Sequence, residues 1–308
     1  MIKMYIWFVA TLIASLGYSC QGSDVARFRV NGGLDKADTI GFDEYMHDWQ
    51  GNDHEFINLE ILANATRNSY TGKDQPVNGY ELVFKVIPQD GLHAFVYRRK
   101  FTNKYLVAYR GTTSESDKCA DAVLFKGEFP KDPDANCSRF SNNTLDYFSQ
   151  ATNVVDRVLG LETKSRIVFT GHSLGCSLSQ LMMLKYSKGQ RKIGSFCFSA
   201  VGVRPIAERY NISMHPKDHS VVFDLPYDPV FLLTKKQQLG KVCTFEGLNV
   251  PTGCKQCVEK TTLQSCSRCF EPGHIFYHYL SALHSLETDP GTTLTCKHYS
   301  QIRQIFSP

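Results

Sequence analysis

One serine lies between two glycines in the segment Gly171-His-Ser-Leu-Gly175. A serine hydroxyl becomes a nucleophile for acyl transfer when a neighbouring histidine takes its proton and an acidic side chain orients that histidine. The glycines suit a sharp, strained turn, because a side chain at Gly171 or Gly175 would collide with neighbouring backbone. Such a turn exposes the hydroxyl and aims helix-start N–H groups at developing negative charge. The pattern therefore predicts a nucleophile at Ser173.

The five-residue pattern is common by chance, so the elements around it decide its meaning. The short apolar run 167–170 predicts a strand directly before the turn, and 177–186 predicts a buried or amphipathic helix directly after it. Strand, sharp turn and helix is the order that a nucleophile of this kind requires. The alternative is a structural glycine-rich turn with no catalytic role.

Further elements follow from hydrophobic periodicity. Helical spacing occurs in 53–70 and 145–159, and strands are predicted at 92–99, 104–110, 193–201 and 220–224. Strands that alternate with helices predict an α/β fold with helices on the faces of the sheet. The stretch 113–143 fits neither period, which predicts a long functional loop. The absence of repeats and low-complexity linkers favours a single domain over residues 23–308.

The segment Thr170-Gly-His-Ser-Leu-Gly175 resembles the class 3 lipases, the fungal-type triacylglycerol lipase family. Family members typically carry a second glycine where this chain has Cys176. The resemblance extends from about residue 55 to residue 298. It implies an α/β-hydrolase-like fold, with a central, mostly parallel sheet and helices on both faces.

The resemblance also implies an oxyanion hole and a lid. Residues 105–113 are similar to the family's strand that ends in Arg-Gly-Ser/Thr, so the backbone N–H groups of Thr112 and Leu174 are expected to bind the developing anion. An edge strand followed by an ordinary turn is the alternative. The family's lid corresponds to residues 114–143 here, with an apolar side formed by Val123, Leu124, Phe125 and Phe129. A surface loop that only packs on the body is the alternative for this segment.

The acid and the base should follow Ser173, since the order in this fold class is serine, acid, histidine. Residues 221–230 resemble the family's strand that ends in Asp-Pro-Val, which makes Asp228 the expected acid and Asp224 the fallback. The family's catalytic histidine commonly follows a cysteine-bearing loop and lies close to a tyrosine, which makes His298 in Cys296-Lys-His-Tyr299 the expected base. The remaining candidates, in order, are His284, His278 and His274. His274 matches a non-catalytic histidine that begins the family's penultimate strand.

Two Cys-x-x-Cys pairs lie in the segment 253–270, which looks like an insertion in the family pattern. Four thiolates could hold zinc, but secreted cysteines usually oxidise, and the eight-residue spacer is shorter than that of ordinary zinc ribbons. Two disulfides are therefore expected, which gives a small disulfide-rich insertion. Cys119 and Cys137 could close the lid segment, whereas Cys176 and Cys197 could remain buried thiols.

The N-terminus predicts a signal peptide over residues 1–22, with Lys3 followed by an apolar stretch too short to span a bilayer. An uncleaved anchor is the alternative. Four Asn-x-Ser/Thr sequons, at Asn64, Asn136, Asn142 and Asn211, fit a secreted glycoprotein. Removal of Cys20 with the signal would leave an even number of cysteines. The predicted location is extracellular, or the lumen of the secretory or endolysosomal pathway, with no later membrane span.

The net charge of +4, without a dense basic run, does not favour a nucleic-acid partner. The sequence thus predicts a secreted hydrolase of lipid carboxylic esters that resembles triacylglycerol lipases and acts at a lipid–water interface. Neither a metal nor an organic cofactor is expected. An inactive lipase-like binding or effector protein, a scaffold that adheres through the insertion, and an esterase or phospholipase with another substrate are alternatives. The sequence leaves the oligomeric state open.

Overall fold

The computed structural model describes residues 57–127, 137–187, 193–212 and 219–298 of the chain. The predicted signal peptide, Cys20, the sequon asparagine Asn136 and the lid residue Phe129 lie outside the described residues. The prediction of a single domain over residues 23–308 therefore remains a prediction.

Eight strands of the described part of the chain form one sheet, and their spatial order equals their order in the chain. They are β1 (Tyr80–Val86), β2 (Ala94–Arg99), β3 (Lys104–Tyr109), β4 (Arg166–Gly171), β5 (Ile193–Phe198), β6 (His219–Asp224), β7 (Lys241–Glu246) and β8 (Thr293–His298). Strands β3 to β7 run parallel, whereas β1 and β2 extend one edge antiparallel and β8 closes the other edge antiparallel. The carboxyl ends of β4, β5 and β6 consequently lie side by side at one edge of the sheet.

The helices occupy the connections between these strands. They are α1 (Leu59–Thr71), α2 (Glu115–Lys126), α3 (Asn142–Leu145), α4 (Tyr147–Leu161), α5 (Leu174–Tyr186), α6 (Arg204–Arg209), α7 (Pro229–Thr234), α8 (Lys255–Lys260), α9 (Leu263–Cys266), α10 (Phe270–His274) and α11 (Phe276–Thr288). Short 3₁₀ turns cover Cys137–Arg139, Lys235–Gln237 and Thr252–Cys254. Among the described residues, no helix is long and apolar enough to cross a membrane.

The sheet is covered on both faces, which explains the composition of its central strands. Helix α5 packs on β3 to β6 and against α4, whereas α1 packs on β2 to β4 and against α11. Strand β5 is buried throughout, and β4 and β6 are buried except at their first residues, as expected for apolar parallel strands between two helix layers. The predicted α/β fold, with a mostly parallel sheet and helices on both faces, is confirmed.

The prediction of an irregular loop over 113–143 is wrong for its first part, which forms helix α2. Ser114 and Asp117 make a reciprocal capping box at its start, and Gly127 ends it in the left-handed conformation. The buried face of α2 carries Asp117 and Asp121 among apolar residues, so the hydrophobic pattern is interrupted. The expected disulfide between Cys119 and Cys137 is present and ties α2 to the chain that follows. A lid role for the segment stays a prediction.

In the described ranges, ten cysteines form five disulfides, which pair Cys119–Cys137, Cys176–Cys197, Cys243–Cys296, Cys254–Cys269 and Cys257–Cys266. The two predicted disulfides of the insertion are therefore confirmed. Their four sulfur atoms are oxidised and do not offer the thiolates that a zinc site would need. The alternative that Cys176 or Cys197 stays a free buried thiol does not apply, because a disulfide between them joins the start of α5 to β5. The Cys243–Cys296 disulfide links paired positions of β7 and β8.

Candidate active site

The turn at Ser173 has the strained geometry that its sequence predicts. Ser173 adopts φ 58° and ψ −122°, a conformation that residues other than glycine rarely accept. A Cβ atom on Gly171 would lie 2.6 Å from the Gly175 carbonyl carbon, and one on Gly175 would lie 2.2 Å from the Tyr109 carbonyl oxygen. Both glycines are thus required by close backbone approach.

The side chains around Ser173 come from the carboxyl ends of neighbouring parallel strands. Ser173 follows β4, Ser199 follows β5, and Asp228 lies four residues after the end of β6. His274, the last residue of α10, completes the group from the segment that follows the insertion. Open α/β sheets place functional groups at this edge because the connecting loops converge there.

His274 connects Ser173 to Asp228. Its Nε2 atom lies 2.9 Å from Ser173 Oγ, and its Nδ1 atom lies 3.0 Å from Asp228 Oδ2 and 3.1 Å from Asp228 Oδ1. The relative exposure of the three residues is 7% for Ser173, 3% for His274 and 0% for Asp228. A serine, a histidine and a carboxylate in this arrangement can pass the serine proton to the imidazole.

Asp228 is kept ionised by its hydrogen-bond donors. Burial alone would raise its pKa, but attraction to His274 and hydrogen bonds from His274, Ser199 and Tyr279 together hold the pKa below its usual value. The Asp228 side chain also accepts bonds from the backbone N–H groups of Val230 and Phe231, at the start of α7. A charged carboxylate at this position suits the task of orienting an imidazole.

The structure does not place His298, the base that the sequence favours, beside Ser173. His298 pairs with Lys241, the first residue of β7, and Lys241 in turn pairs with Val221 near the start of β6. His298 therefore lies at the amino-terminal edge of the parallel strands, and Ser173 lies at the carboxyl edge. Cys296, which suggested a cysteine-bearing loop, is a strand residue bonded to Cys243.

His274 is the last candidate by sequence because its segment resembles a strand that begins with a non-catalytic histidine. In the structure the residues after His274 form helix α11, whose inward residues Phe276, Tyr279 and Ala282 are buried at helical spacing. That spacing is the sequence signal that separates this segment from a strand. Asp228 and His274 are 46 residues apart in the chain, with the disulfide-rich insertion between them.

The two remaining histidine candidates, His278 and His284, both lie on helix α11. His278 is half-buried and His284 is exposed to solvent. Among the described residues, the imidazole that bonds to Ser173 Oγ is that of His274. The structure therefore favours His274 over both.

A second buried carboxyl lies beside Asp228. Asp224, at the end of β6, is 0% exposed, and the hydroxyl of Tyr279 lies 3.4 Å from its Oδ1 while also donating to Asp228. Burial and the nearby negative charge of Asp228 raise the pKa of Asp224 well above its usual value. The opposite shifts of the two pKa values predict that Asp224 keeps its proton while Asp228 is ionised.

Replacing Asp224 with asparagine should stabilise the protein at pH 7 and not at pH 4. The pKa of Asp224 is raised in the folded protein, whereas in the unfolded chain the same carboxyl releases its proton above about pH 4. The unfolded chain is therefore increasingly favoured as pH rises, and this site destabilises the wild type. Asparagine is neutral at every pH and avoids that cost. Thermal unfolding of both proteins at pH 4 and pH 7 measures the difference. An equal difference at the two pH values would contradict a protonated Asp224.

His172 lies against the candidate triad without joining it. Its Nδ1 atom is 2.8 Å from the Tyr70 hydroxyl, and its ring centroid is 4.9 Å from that of His274. Burial and the neighbouring His274 hold the pKa of His172 well below its usual value, so this imidazole is neutral. Tyr70 also stacks on Phe276. The uncharged ring of His172 consequently lies beside the His274 ring, and Tyr70 and Phe276 pack next to it.

The two expected oxyanion-hole residues lie at matching positions after the ends of the adjacent strands β3 and β4. Tyr109 pairs with Gly171, and Thr112 and Leu174 each follow the paired residue by three positions. Within the described part of the chain, neither backbone N–H of these two residues donates to another protein group. The Thr112 hydroxyl donates to Asp121 Oδ2 at 2.7 Å, which fixes the Thr112 side chain. Burial raises the pKa of Asp121 well above its usual value, although the hydrogen bond from Thr112 opposes this shift.

The disulfide-rich insertion supports the segment that carries His274. A Cβ atom on Gly273 would lie 2.7 Å from Cys269 Sγ and 3.0 Å from the Tyr227 carbonyl oxygen. The Cys254–Cys269 disulfide is therefore packed against the residue before His274 and close to the residue before Asp228. The Cys257–Cys266 disulfide lies inside the loop closed by Cys254–Cys269 and joins α8 to α9.

Removing the two disulfides separately should separate their roles. We expect Cys254→Ala/Cys269→Ala to lower kcat for ester hydrolysis more than about tenfold, because the Gly273 backbone loses its support. Cys257→Ala/Cys266→Ala should keep kcat within about threefold. Either double variant should lose about 2–4 kcal/mol of stability, the usual contribution of one disulfide. Kinetics and thermal unfolding of both double variants test this. Equal losses of kcat would contradict a special role for the Cys254–Cys269 disulfide.

The fold and this side-chain geometry define an α/β-hydrolase-like protein. Residues 106–222 match the model of the family described as Lipase (class 3), which confirms the resemblance over β3 to β6. No curated protein matches the chain.

Solved structures of fungal lipases are also similar to the chain. Lipase II from Rhizopus niveus is 14% identical, with a TM-score of 0.42, over 67% of this chain and 82% of that one. A triacylglycerol lipase from Penicillium expansum is 14% identical, with a TM-score of 0.40, over 61% and 79%. The Rhizomucor miehei triacylglyceride lipase is 15% identical, with a TM-score of 0.40, over 60% and 77%.

Proposed function

We propose that the protein is a serine hydrolase that cleaves carboxylic esters of lipids through a covalent acyl-enzyme. One observation carries the proposal: His274 lies within hydrogen-bond distance of both Ser173 Oγ and the ionised Asp228. The match to the class 3 lipase model supports the choice of lipid esters over other acyl compounds. Triacylglycerol or a partial glyceride is the proposed substrate.

In the proposed reaction, His274 Nε2 takes the proton of Ser173 as Oγ attacks the ester carbonyl. Asp228 fixes the imidazole through Nδ1 and stabilises the imidazolium that forms. The tetrahedral intermediate collapses as His274 returns the proton to the leaving alcohol, which leaves an acyl group on Ser173. Water, deprotonated by His274, then attacks the acyl-enzyme and releases the fatty acid. The low pKa of Asp228 keeps its negative charge available throughout.

Thr112 and Leu174 are the proposed oxyanion donors. Their N–H groups lie at equivalent positions beyond β3 and β4 and are free of protein partners among the described residues. Two such donors stabilise the carbonyl oxygen only once it carries negative charge, so they act on the transition state. Asp121 would hold the Thr112 side chain in place through the bond from the Thr112 hydroxyl.

The proposal includes secretion and action at a lipid–water interface. The five disulfides fit an oxidising compartment, and glycosylation and the signal peptide remain part of the proposal. Ser173 and His274 are both largely buried, so substrate entry requires an opening movement near the site. The segment 114–143 is the proposed moving lid.

Hydrolysis of p-nitrophenyl esters of increasing chain length tests the proposed function. Wild-type protein should cleave these esters, and Ser173→Ala should not, because the acyl-enzyme cannot form. A lipase should prefer long chains and gain activity once the substrate forms an interface, whereas an esterase should prefer short, dissolved esters. Equal hydrolysis by wild type and Ser173→Ala would overturn the proposed function.

A further inference from the structure

We propose that Ser199 is a positioning residue that holds Asp228 and His274 in register, so that the site works as four linked side chains. This inference rests on the proposed function. Ser199 Oγ lies 2.6 Å from Asp228 Oδ2 and 3.0 Å from His274 Nδ1, and the residue is 0% exposed. Its hydroxyl donates to the carboxylate, which leaves the oxygen able to accept a hydrogen bond from His274 when Nδ1 carries a proton.

The backbone of Ser199 supports a role for its side chain. Ser199 has a φ of 50°, in the left-handed region where glycine is favoured and a Cβ atom is strained. The residue directly follows β5, and its N–H donates to the Phe223 carbonyl oxygen at 2.9 Å, so the neighbouring strand fixes this conformation. Glycine would satisfy the backbone with less strain. The Cβ atom of Ser199 therefore adds backbone strain at a position where the side chain contacts Asp228 and His274.

The position of Ser199 also links it to the nucleophile turn. The N–H of Ser173 donates to the carbonyl oxygen of Phe198, the residue before Ser199, at 3.0 Å. The end of β5 thus holds Ser173 by its backbone and the Asp228–His274 pair by the Ser199 side chain. Asp228 keeps other donors, since the Tyr279 hydroxyl and two backbone N–H groups also bond to it. Loss of the Ser199 hydroxyl should loosen the pair without discharging Asp228.

Two variants separate the hydroxyl from the backbone. Both Ser199→Gly and Ser199→Ala lack the hydroxyl, but only glycine relieves the positive φ. We expect kcat for p-nitrophenyl esters to fall about tenfold in both variants, as for a lost hydrogen bond to a charged group. KM should change less than about twofold, because Ser199 is fully buried and contacts the Nδ1 side of His274, away from Ser173. Ser199→Gly should unfold at a higher temperature than Ser199→Ala, because only glycine relieves the strain of the positive φ.

If Ser199→Gly is more stable than Ser199→Ala and yet equally slow, the lower kcat comes from the lost hydroxyl and not from backbone strain. Wild-type kcat in both variants would overturn this inference while leaving the proposed function intact. A fall in kcat for Ser199→Ala alone would also overturn it, because backbone strain and not the hydroxyl would then matter. Wild-type protein that hydrolyses no faster than Ser173→Ala would overturn the proposed function and this inference with it.

Discussion

Replacing His274 with alanine is expected to lower kcat for ester hydrolysis by about 10⁴-fold or more. The loss follows from geometry, since His274 Nε2 is the atom 2.9 Å from Ser173 Oγ and alanine offers no base. Removal of one member of a serine triad commonly costs most of the rate that the whole triad provides. KM should change little, because the imidazole contributes mainly to the transition state. Steady-state kinetics with a soluble p-nitrophenyl ester measures both constants.

His298→Ala is the matched control for this experiment. His298 lies on edge strand β8 at the amino-terminal end of the parallel strands, so its removal should leave kcat within about twofold. His284, exposed on α11, gives a second control with the same expectation. A loss of activity in His298→Ala that matched the loss in His274→Ala would contradict the arrangement of the site described above. Thermal unfolding of all three variants shows whether any loss reflects misfolding.

Asp228→Asn should lower kcat by about 10⁴-fold, whereas Asp224→Asn should leave it within about threefold. Asparagine at position 228 cannot carry the negative charge that stabilises the imidazolium, and its amide would favour the wrong tautomer of His274. Asp224 is held protonated by burial and by Asp228, so asparagine there preserves the charge of the native side chain. Kinetics of both variants at pH 8 make the comparison.

The two carboxyls form a close internal control, because both are 0% exposed and both contact Tyr279. A general effect of amide substitution on the packing would reduce activity in both variants. A large loss in Asp224→Asn with a small loss in Asp228→Asn would exchange the two roles and restore the fallback acid. Rates measured per folded molecule exclude differences in stability as the cause.

The sequence predicted the elements whose chemistry is local. The strained turn at Ser173 could be predicted because two glycines, a preceding strand and a following helix are all adjacent in the chain. The segment that carries the proposed oxyanion donor Thr112 could be located for the same reason, since β3 and the residues after it form one continuous motif. Asp228 follows directly from the end of β6. Each of these predictions needed no knowledge of how distant segments meet.

The histidine could not be predicted in the same way, because its position depends on a distant packing arrangement. The disulfide-rich insertion separates it from Asp228, and its place beside Ser173 is fixed by the Cys254–Cys269 disulfide, the Tyr227 backbone and the aromatic residues of α11. Chain order and neighbouring residue types favour His298, which antiparallel pairing directs to the opposite edge. Helix α2 escapes prediction because its buried carboxyls interrupt the apolar pattern.

Ser199 and Asp224 escape prediction as neighbours of the triad for a related reason. A serine after a buried strand is unremarkable until its positive φ and its distance from Asp228 are known. The proximity of Asp224 to Asp228 is visible in the sequence, but its protonation depends on burial. Both cases require the three-dimensional packing of β5 and β6 against α11.

Fluorophosphonate labelling followed by mass spectrometry of the labelled peptide tests the central claim most directly. The reagent phosphonylates a serine only when a neighbouring base activates it. We predict one adduct on Ser173 in the wild type and in His298→Ala, strong loss of labelling in His274→Ala, and none in Ser173→Ala. Labelling of Ser173 that disappears in His298→Ala but persists in His274→Ala, or wild-type protein that is not labelled at all, would contradict the proposed triad.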